Sequence, residues 1–243
     1  MSRYRIDLAY DGGGFHGYAR QNGLRTVQGE LESALADVLG ITVETAVAGR
    51  TDAGVHAWGQ VASFELEDDI DGHRLTRSLN GILGPEIAVR GIEEAGADFH
   101  ARFSALSRTY RYLVDTTDAP DPLQRHHVWQ VRRALDVAAM KSAVAPLRGE
   151  HDFSSFCRRV DDKTNVRKVA DIRWEGSGGA VTFWITANAF CQQMVRSIVG
   201  YSYDVGRGYA RAEGAADVLA AGDRSAVATV APPHGLTLWE VGY

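Results

Sequence analysis

A chain of 243 residues with 45% apolar and 23% charged residues falls in the ordinary globular range and suffices for one large domain or two modest ones. No apolar run approaches the roughly 18 residues that cross a bilayer, which argues against a membrane protein. The formal charge of −5 argues against a nucleic-acid partner, since phosphates demand local positive potential, but does not exclude one, because Arg and Lys can gather on one groove. The opening MSRYRIDLAYDG lacks the apolar centre of an export signal and reads as a first strand. Cys157 and Cys191 are the only cysteines and form no CxxC pair, so they are expected as free thiols of a cytoplasmic protein.

In chain order, YRIDLAY (4–10) alternates as a strand and DGGG marks the turn after it. TVQGELESALADVLG spaces Val27, Leu31, Ala34, Leu35 and Val38 at helical intervals. Thr26 is its expected N-cap and Gly40 its terminator. In ITVETAVAG, Ile41, Val43, Thr45 and Val47 share one face at period two. GQVASFELE alternates again, with Ala62, Phe64 and Leu66 inward and Ser63, Glu65 and Glu67 outward. The stretch AGRTDAGVHA therefore lies between two strands, at a sheet rim where scaffolds present functional groups. RLTRSLNGIL is expected as a second helix and EIAVRGIE as a further strand.

From about residue 100 the pattern begins again. SRTYRYLVD predicts a strand with Thr109, Arg111 and Leu113 opposite Tyr110, Tyr112 and Val114. LDVAAMKSAVAPL predicts a helix through Val137, Met140, Val144 and Leu147. ADIRWEG and AVTFWITANAF flank GSGG as a hairpin. CQQMVRSIVGYSYDVG reads as a buried helix and GLTLWEV as a closing strand. Two mixed sets with antiparallel hairpins predict an α+β fold, helices on one side of each half-sheet. The boundary is placed near residue 105, giving halves 1–105 and 106–243.

Several stretches carry candidate chemistry. DGGG is either a backbone nest for phosphate or a plain turn, and no GK[ST] follows it. Asp52 and His56 are four apart, yet Gly49 and Gly54 oppose a helix there and no third ligand is signalled, so no metal is expected. His126–His127 and His151–Asp152 read as solvated or capping residues. CRRVDDKTNVRK gathers Arg158, Arg159, Lys163, Arg167 and Lys168, diluted by Asp161 and Asp162; it is a solvated loop or an RNA-facing one. SRTYRY sets Arg108 and Arg111 beside two tyrosines. That suits base stacking, worth roughly 1–3 kcal/mol per base, with phosphate contact. Tyr110 and Tyr112 also fit a core, since both fall on one strand face. Arg196 stands in an apolar helix and either snorkels to water or is buried against an acid. Asp52 is the acid that would pair with it.

These residues sit in a larger pattern. AGRTDAGVHA resembles the active-site motif of the tRNA pseudouridine synthase A family. YDGGGFHGYARQ resembles the family's opening, FHARFSALSRTYRY its middle tyrosine motif, and HDFSSF a later signature. ANAFCQQMVRSIVG and APPHGLTLWEVGY are similar to its helix and closing strand, so the likeness runs essentially from end to end. The chain departs from the pattern at Tyr18 and Ala19, and at Cys191, Gln192 and Gln193.

The resemblance implies the pseudouridine-synthase fold: two α+β halves sharing a central mixed, mainly antiparallel sheet with a cleft between them. It implies isomerisation of uridine to pseudouridine in the tRNA anticodon stem-loop, at positions 38–40, by a homodimer and without a cofactor. By resemblance Asp52 is the catalytic acid, acting by attack on the sugar C1′, addition to base C6, or removal of a sugar proton. Arg196 pairs with it. Arg50 fills the space left by the flipped uridine and holds phosphate, Tyr110 packs on the flipped base, and Leu236 lines the pocket.

Overall fold

The computed structural model of the chain describes residues 1–158, 164–176 and 179–243. Its strands are β1 (Ser2–Tyr10), β2 (Ala46–Val47), β3 (His56–Leu66), β4 (Ile87–Ala95), β5 (Ser107–Asp115), β6 (Trp129–Gln130), β7 (Gly149–Asp152), β8 (Val166–Glu175), β9 (Ala180–Ala187) and β10 (Leu236–Gly242). Its α-helices are α1 (Val27–Leu39), α2 (Gly72–Leu83), α3 (Val137–Val144), α4 (Met194–Gly206) and α5 (Ala215–Ala221). The chain forms two compact units, Met1–Arg108 with Thr237–Tyr243, and Thr109–Leu236. Parallel and antiparallel pairs occur together with these helices, so the fold is α+β with a mixed sheet, as expected. Among the described residues no helix is long and apolar enough to cross a membrane.

In the first unit the strands run in the order β4-β1-β3-β10. β1 is antiparallel to both neighbours, while β10 runs parallel to β3 through Thr237↔His56 and Leu238↔Ala57. The β1–β3 register sets Tyr4, Ile6, Leu8 and Tyr10 opposite Phe64, Ala62, Gln60 and Ala57, and all eight are buried. One strand face thus supplies the core, because alternate side chains point the same way. α1 begins at Thr26, whose side chain accepts from the Gly29 amide, and ends at Gly40 in the left-handed conformation, φ 73°. Both caps are those expected. α2 begins at Asp71, which accepts from the Arg74 amide, and buries Leu75, Leu79 and Leu83, one per turn on a single face.

Two expectations in this unit fail for a polar reason. Residues 41–45 form no strand, and β2 is confined to Ala46–Val47. The Thr45 amide and hydroxyl both donate to the buried Glu32 carboxylate, at 2.8 and 2.9 Å, so a helix side chain takes the bonds a ladder would have made. Ile41, expected to share a strand face with Val43, Thr45 and Val47, is exposed. Ser63, assigned outward, is buried and its hydroxyl accepts from the Ala101 amide at 3.1 Å.

In the second unit the order is β5-β9-β8-β7, with β6 parallel to β5. β5 alternates as predicted, burying Tyr110, Tyr112 and Val114. β8 and β9 form the expected antiparallel hairpin; Ser177 and Gly178 of its turn lie outside the described residues. So do Arg159, Asp161, Asp162 and Lys163 of the basic stretch. Within its described part, Arg167 donates locally to the carbonyls of Thr164 and Val166. α4 is buried around most of its girth, with Met194, Ile198 and Val199 fully enclosed.

The expectation of free thiols is overturned: Cys157 and Cys191 form a disulfide, with Cα atoms 5.7 Å apart. A 34-residue separation hid the pair in sequence. The Arg158 amide donates to the Gln192 carbonyl at 2.9 Å, which brings the two segments side by side. Closing a loop of that length lowers the entropy of the unfolded chain, worth about 3–4 kcal/mol in the loop-closure account. The expected result is that Cys157→Ala/Cys191→Ala unfolds at lower urea than oxidised wild type and matches wild type held in reductant. Identical midpoints in all three would contradict the pairing.

Candidate active site

The loop Ala48–Val55 joins β2 to β3 in the first unit, and its backbone is tied at successive residues. The Ala48 amide donates to the Val61 carbonyl at 2.9 Å. The Ala48 carbonyl receives the Arg108 guanidinium, from Nη2 at 2.7 Å and Nε at 3.2 Å. Gln60 Nε2 donates to the Gly49 carbonyl at 2.7 Å. The Thr51 hydroxyl bonds the Tyr10 hydroxyl at 2.8 Å, and its carbonyl accepts from the Tyr18 amide at 3.1 Å. A turn closes the loop, with the Val55 amide on the Asp52 carbonyl at 3.1 Å and Gly54 at φ 77°. Asp52 is half-buried at the head of this turn and Arg50 is exposed beside it. The loop is irregular in path but not loose, because its polar groups have fixed partners.

DGGG is a brace rather than a phosphate nest. Asp11 caps a short 3-10 turn over Gly12–Gly14, accepting from the Gly13 amide at 2.9 Å. Gly12 lies so close to the Val55 carbonyl that a Cβ there would collide with it. Gly17, at φ 96°, likewise leaves room for the Thr51 carbonyl, 2.9 Å from where its Cβ would be. Gly12→Ala is therefore expected to push Val55 outward and distort the Asp52 turn. Turnover should fall by about 10²-fold, the scale of an ångström-sized misplacement. Gly13→Ala meets only the Asp11 carboxylate at 3.1 Å and should stay near wild type. Equal kcat in the two variants would refute the close approach.

His56 does not face Asp52 across a helical turn. It opens β3, is buried, and its Nδ1 accepts from the Gly12 amide at 3.0 Å beside the Asp11 carboxylate at 3.1 Å.

The second unit holds Tyr110, Arg196 and Leu236. Tyr110 is buried on β5 with its ring edge-on to Phe190, centroids 5.1 Å apart. Arg196 lies in the first turn of α4; its Nε donates to the Ala231 carbonyl at 2.7 Å and its own carbonyl accepts from the Ala231 amide at 3.0 Å. The adjacent Pro232 carbonyl receives the Tyr112 hydroxyl at 2.9 Å. Burial raises the pKa of the Tyr112 hydroxyl, opposed by the Arg196 charge. Arg196 is thus held by Ala231 at the helix start. Leu236, first residue of β10, is buried.

The sequence of this chain has many relatives. The family model described as tRNA pseudouridine synthase matches residues 8–104 and 143–243. The chain belongs to the tRNA pseudouridine synthase family. A tRNA pseudouridine synthase A of Frankia casuarinae is 47% identical, covering 100% of this chain and 90% of the relative. Relatives of the same name from Streptomyces griseus (44% identity; 99% and 88% covered) and Brevibacillus brevis (43%; 100% of both) agree. One chain in the crystal structure of a Cbf5–Nop10–Gar1 complex aligns at TM-score 0.40 and 15% identity, over 84% of this chain and 45% of that one, so membership rests on the sequence relatives.

As a member of that family the protein is an isomerase-type enzyme that modifies tRNA. Arg50 and Asp52 fall in the first matched segment, Arg196 and Leu236 in the second, and Tyr110 between the two. Sequence reasoning missed Tyr10 and Gln60, and set Arg108 toward RNA rather than into the core. Gln60 had a signal, for its alternation with Ala62, Phe64 and Leu66 turns a polar amide inward. Arg108 had one too, two residues before Tyr110 on the buried side of β5. It does not contribute to an RNA-facing patch: it is 8% exposed and spends its donors on the carbonyls of Ala48, Ala105 and Arg102.

Proposed function

We propose that the protein isomerises uridine to pseudouridine in the tRNA anticodon stem-loop, at positions 38–40, with Asp52 as the reacting group and without a cofactor. One observation carries the reading: a half-buried carboxylate stands on a loop tied through Ala48, Gly49, Thr51 and Gly54, next to an exposed arginine. Such a loop holds an acid in one place and lets RNA approach.

The isomerisation breaks the bond from N1 to the sugar C1′, turns the base, and joins C5 to the same carbon. C5 gives up its proton and N1 gains one, so no electron or group donor is consumed. Asp52 serves by attack on C1′, by addition to C6, or by removing a sugar proton, and each route needs the ionised carboxylate. Arg196 is proposed to pair with Asp52. Everting the uridine costs a few kcal/mol; Arg50 offsets this by taking the vacated space and binding phosphate. Tyr110 packs on the everted base and Leu236 lines the pocket. In this reading residues 1–105 carry the acid, residues 106–243 complete the cleft, and two copies share one tRNA as a cytoplasmic homodimer.

The test is tritium release from tRNA carrying [5-³H]uridine, with purified protein and EDTA present. Release in step with pseudouridine formed is the expected result. Release that requires an added metal or cofactor, or none at all, would overturn the proposal.

A further inference from the structure

We infer that Gln60, Tyr10 and Thr51 form a positioning chain that fixes where the Asp52 carboxylate stands. The inference rests on Asp52 being the reacting group. Gln60 is 0% exposed and sits on β3 among apolar neighbours. An amide in that place is costly unless its polar atoms are used. They are: Nε2 donates to the Gly49 carbonyl at 2.7 Å and to the Tyr10 hydroxyl at 3.1 Å, and Oε1 accepts from the Val61 amide at 3.2 Å.

The Tyr10 hydroxyl, which accepts from Gln60, shares a hydrogen bond of 2.8 Å with the Thr51 hydroxyl. Burial pushes the Tyr10 hydroxyl up to about 12, so it keeps its proton at any working pH. The chain runs Gln60 to Tyr10 to Thr51 and stops one residue before Asp52. Gln60 also holds the Gly49 carbonyl, so the backbone is pinned on both sides of Arg50 and immediately ahead of the acid. Tyr10 and Gln60 come from adjacent strands β1 and β3, which makes the sheet the reference frame for the loop. Nothing about the fold of the strands calls for oxygen at position 10; Ile6 and Leu8 fill the same face without one.

Tyr10→Phe and Thr51→Val each delete one end of the same hydrogen bond at nearly constant volume. Each is expected to lower kcat for pseudouridine formation by about 10-fold, the scale of one hydrogen bond, with KM for tRNA changed less than about twofold. The double variant should be no slower than either single one, because both remove the same interaction. Thr51→Ser should recover most of the loss. Losses that multiply in the double variant, or a lowered Tm with kcat unchanged, would overturn the positioning chain. Should Thr51→Val not fold, Tyr10→Phe alone decides by the same criterion. Asp52→Asn, assayed alongside, separates the two levels. If it is inactive while Tyr10→Phe and Thr51→Val match wild type, the chain fails and the reading of Asp52 stands. If Asp52→Asn is active, the reading of Asp52 fails and the positioning chain falls with it.

Discussion

Asp52→Asn is expected to abolish pseudouridine formation, on the order of 10⁴-fold or more, while tRNA affinity stays within a few-fold of wild type. Asparagine keeps the size of the side chain and the turn closed by the Val55 amide on the Asp52 carbonyl. It removes the negative oxygen, which every route open to this reaction requires. The complementary variant is Arg50→Ala, which should weaken binding and turnover together, since the exposed guanidinium is assigned to phosphate and to the space left by the everted base. The contrast matters more than either number. Filter binding of both variants beside single-turnover rates reads it directly. Loss of binding by Asp52→Asn in step with its activity would reassign the carboxylate from chemistry to structure.

A stability loss as large as that of the disulfide is expected from Arg108→Leu. Arg108 is buried, and its guanidinium donates to the main-chain carbonyls of Ala48, Ala105 and Arg102. Leucine fills much of the volume and supplies no donor. Each buried carbonyl left without a donor costs about 1–3 kcal/mol, and water can reach Arg102 and Ala105, which are not buried, more readily than buried Ala48. A loss of about 3–4 kcal/mol in urea denaturation is the expected sum. Arg108→Lys should recover only part of it, because an ammonium cannot span three carbonyls as the planar fork does. Since Ala48 begins the loop that carries Asp52, the leucine variant should also turn over slowly at temperatures where it is still folded. A change below about 0.5 kcal/mol would mean that the carbonyls find other donors.

The regular parts of this fold were legible because local signals agreed with burial. Thr26 and Gly40 mark the ends of α1, and the alternation of Tyr110, Tyr112 and Val114 marks β5, in each case through backbone geometry that neighbours in sequence control. The failures share one cause, a partner that lies elsewhere in the chain. Thr45 looked like a strand residue until Glu32 took its amide and hydroxyl. Ser63 looked outward until the Ala101 amide covered it. Cys157 and Cys191 are 34 positions apart, and no spacing rule joins them. At the candidate site the charged residues were visible as oddities, an acid among glycines and an arginine in an apolar helix. The residues that hold the loop were not, although Gln60 and Arg108 each break the apolar face of a strand. An inward polar residue in an otherwise clean alternation is the feature that pointed to the support of the site.

The account turns on Asp52 acting on a uridine of the anticodon arm. The most direct measurement is pseudouridine mapping, by carbodiimide labelling and reverse transcription, on an unmodified tRNA transcript treated with wild type or Asp52→Asn protein in EDTA. The account predicts new stops at positions 38–40 with wild type and none with the variant. Stops elsewhere in the tRNA, or the same stops at equal rate with Asp52→Asn, would contradict it.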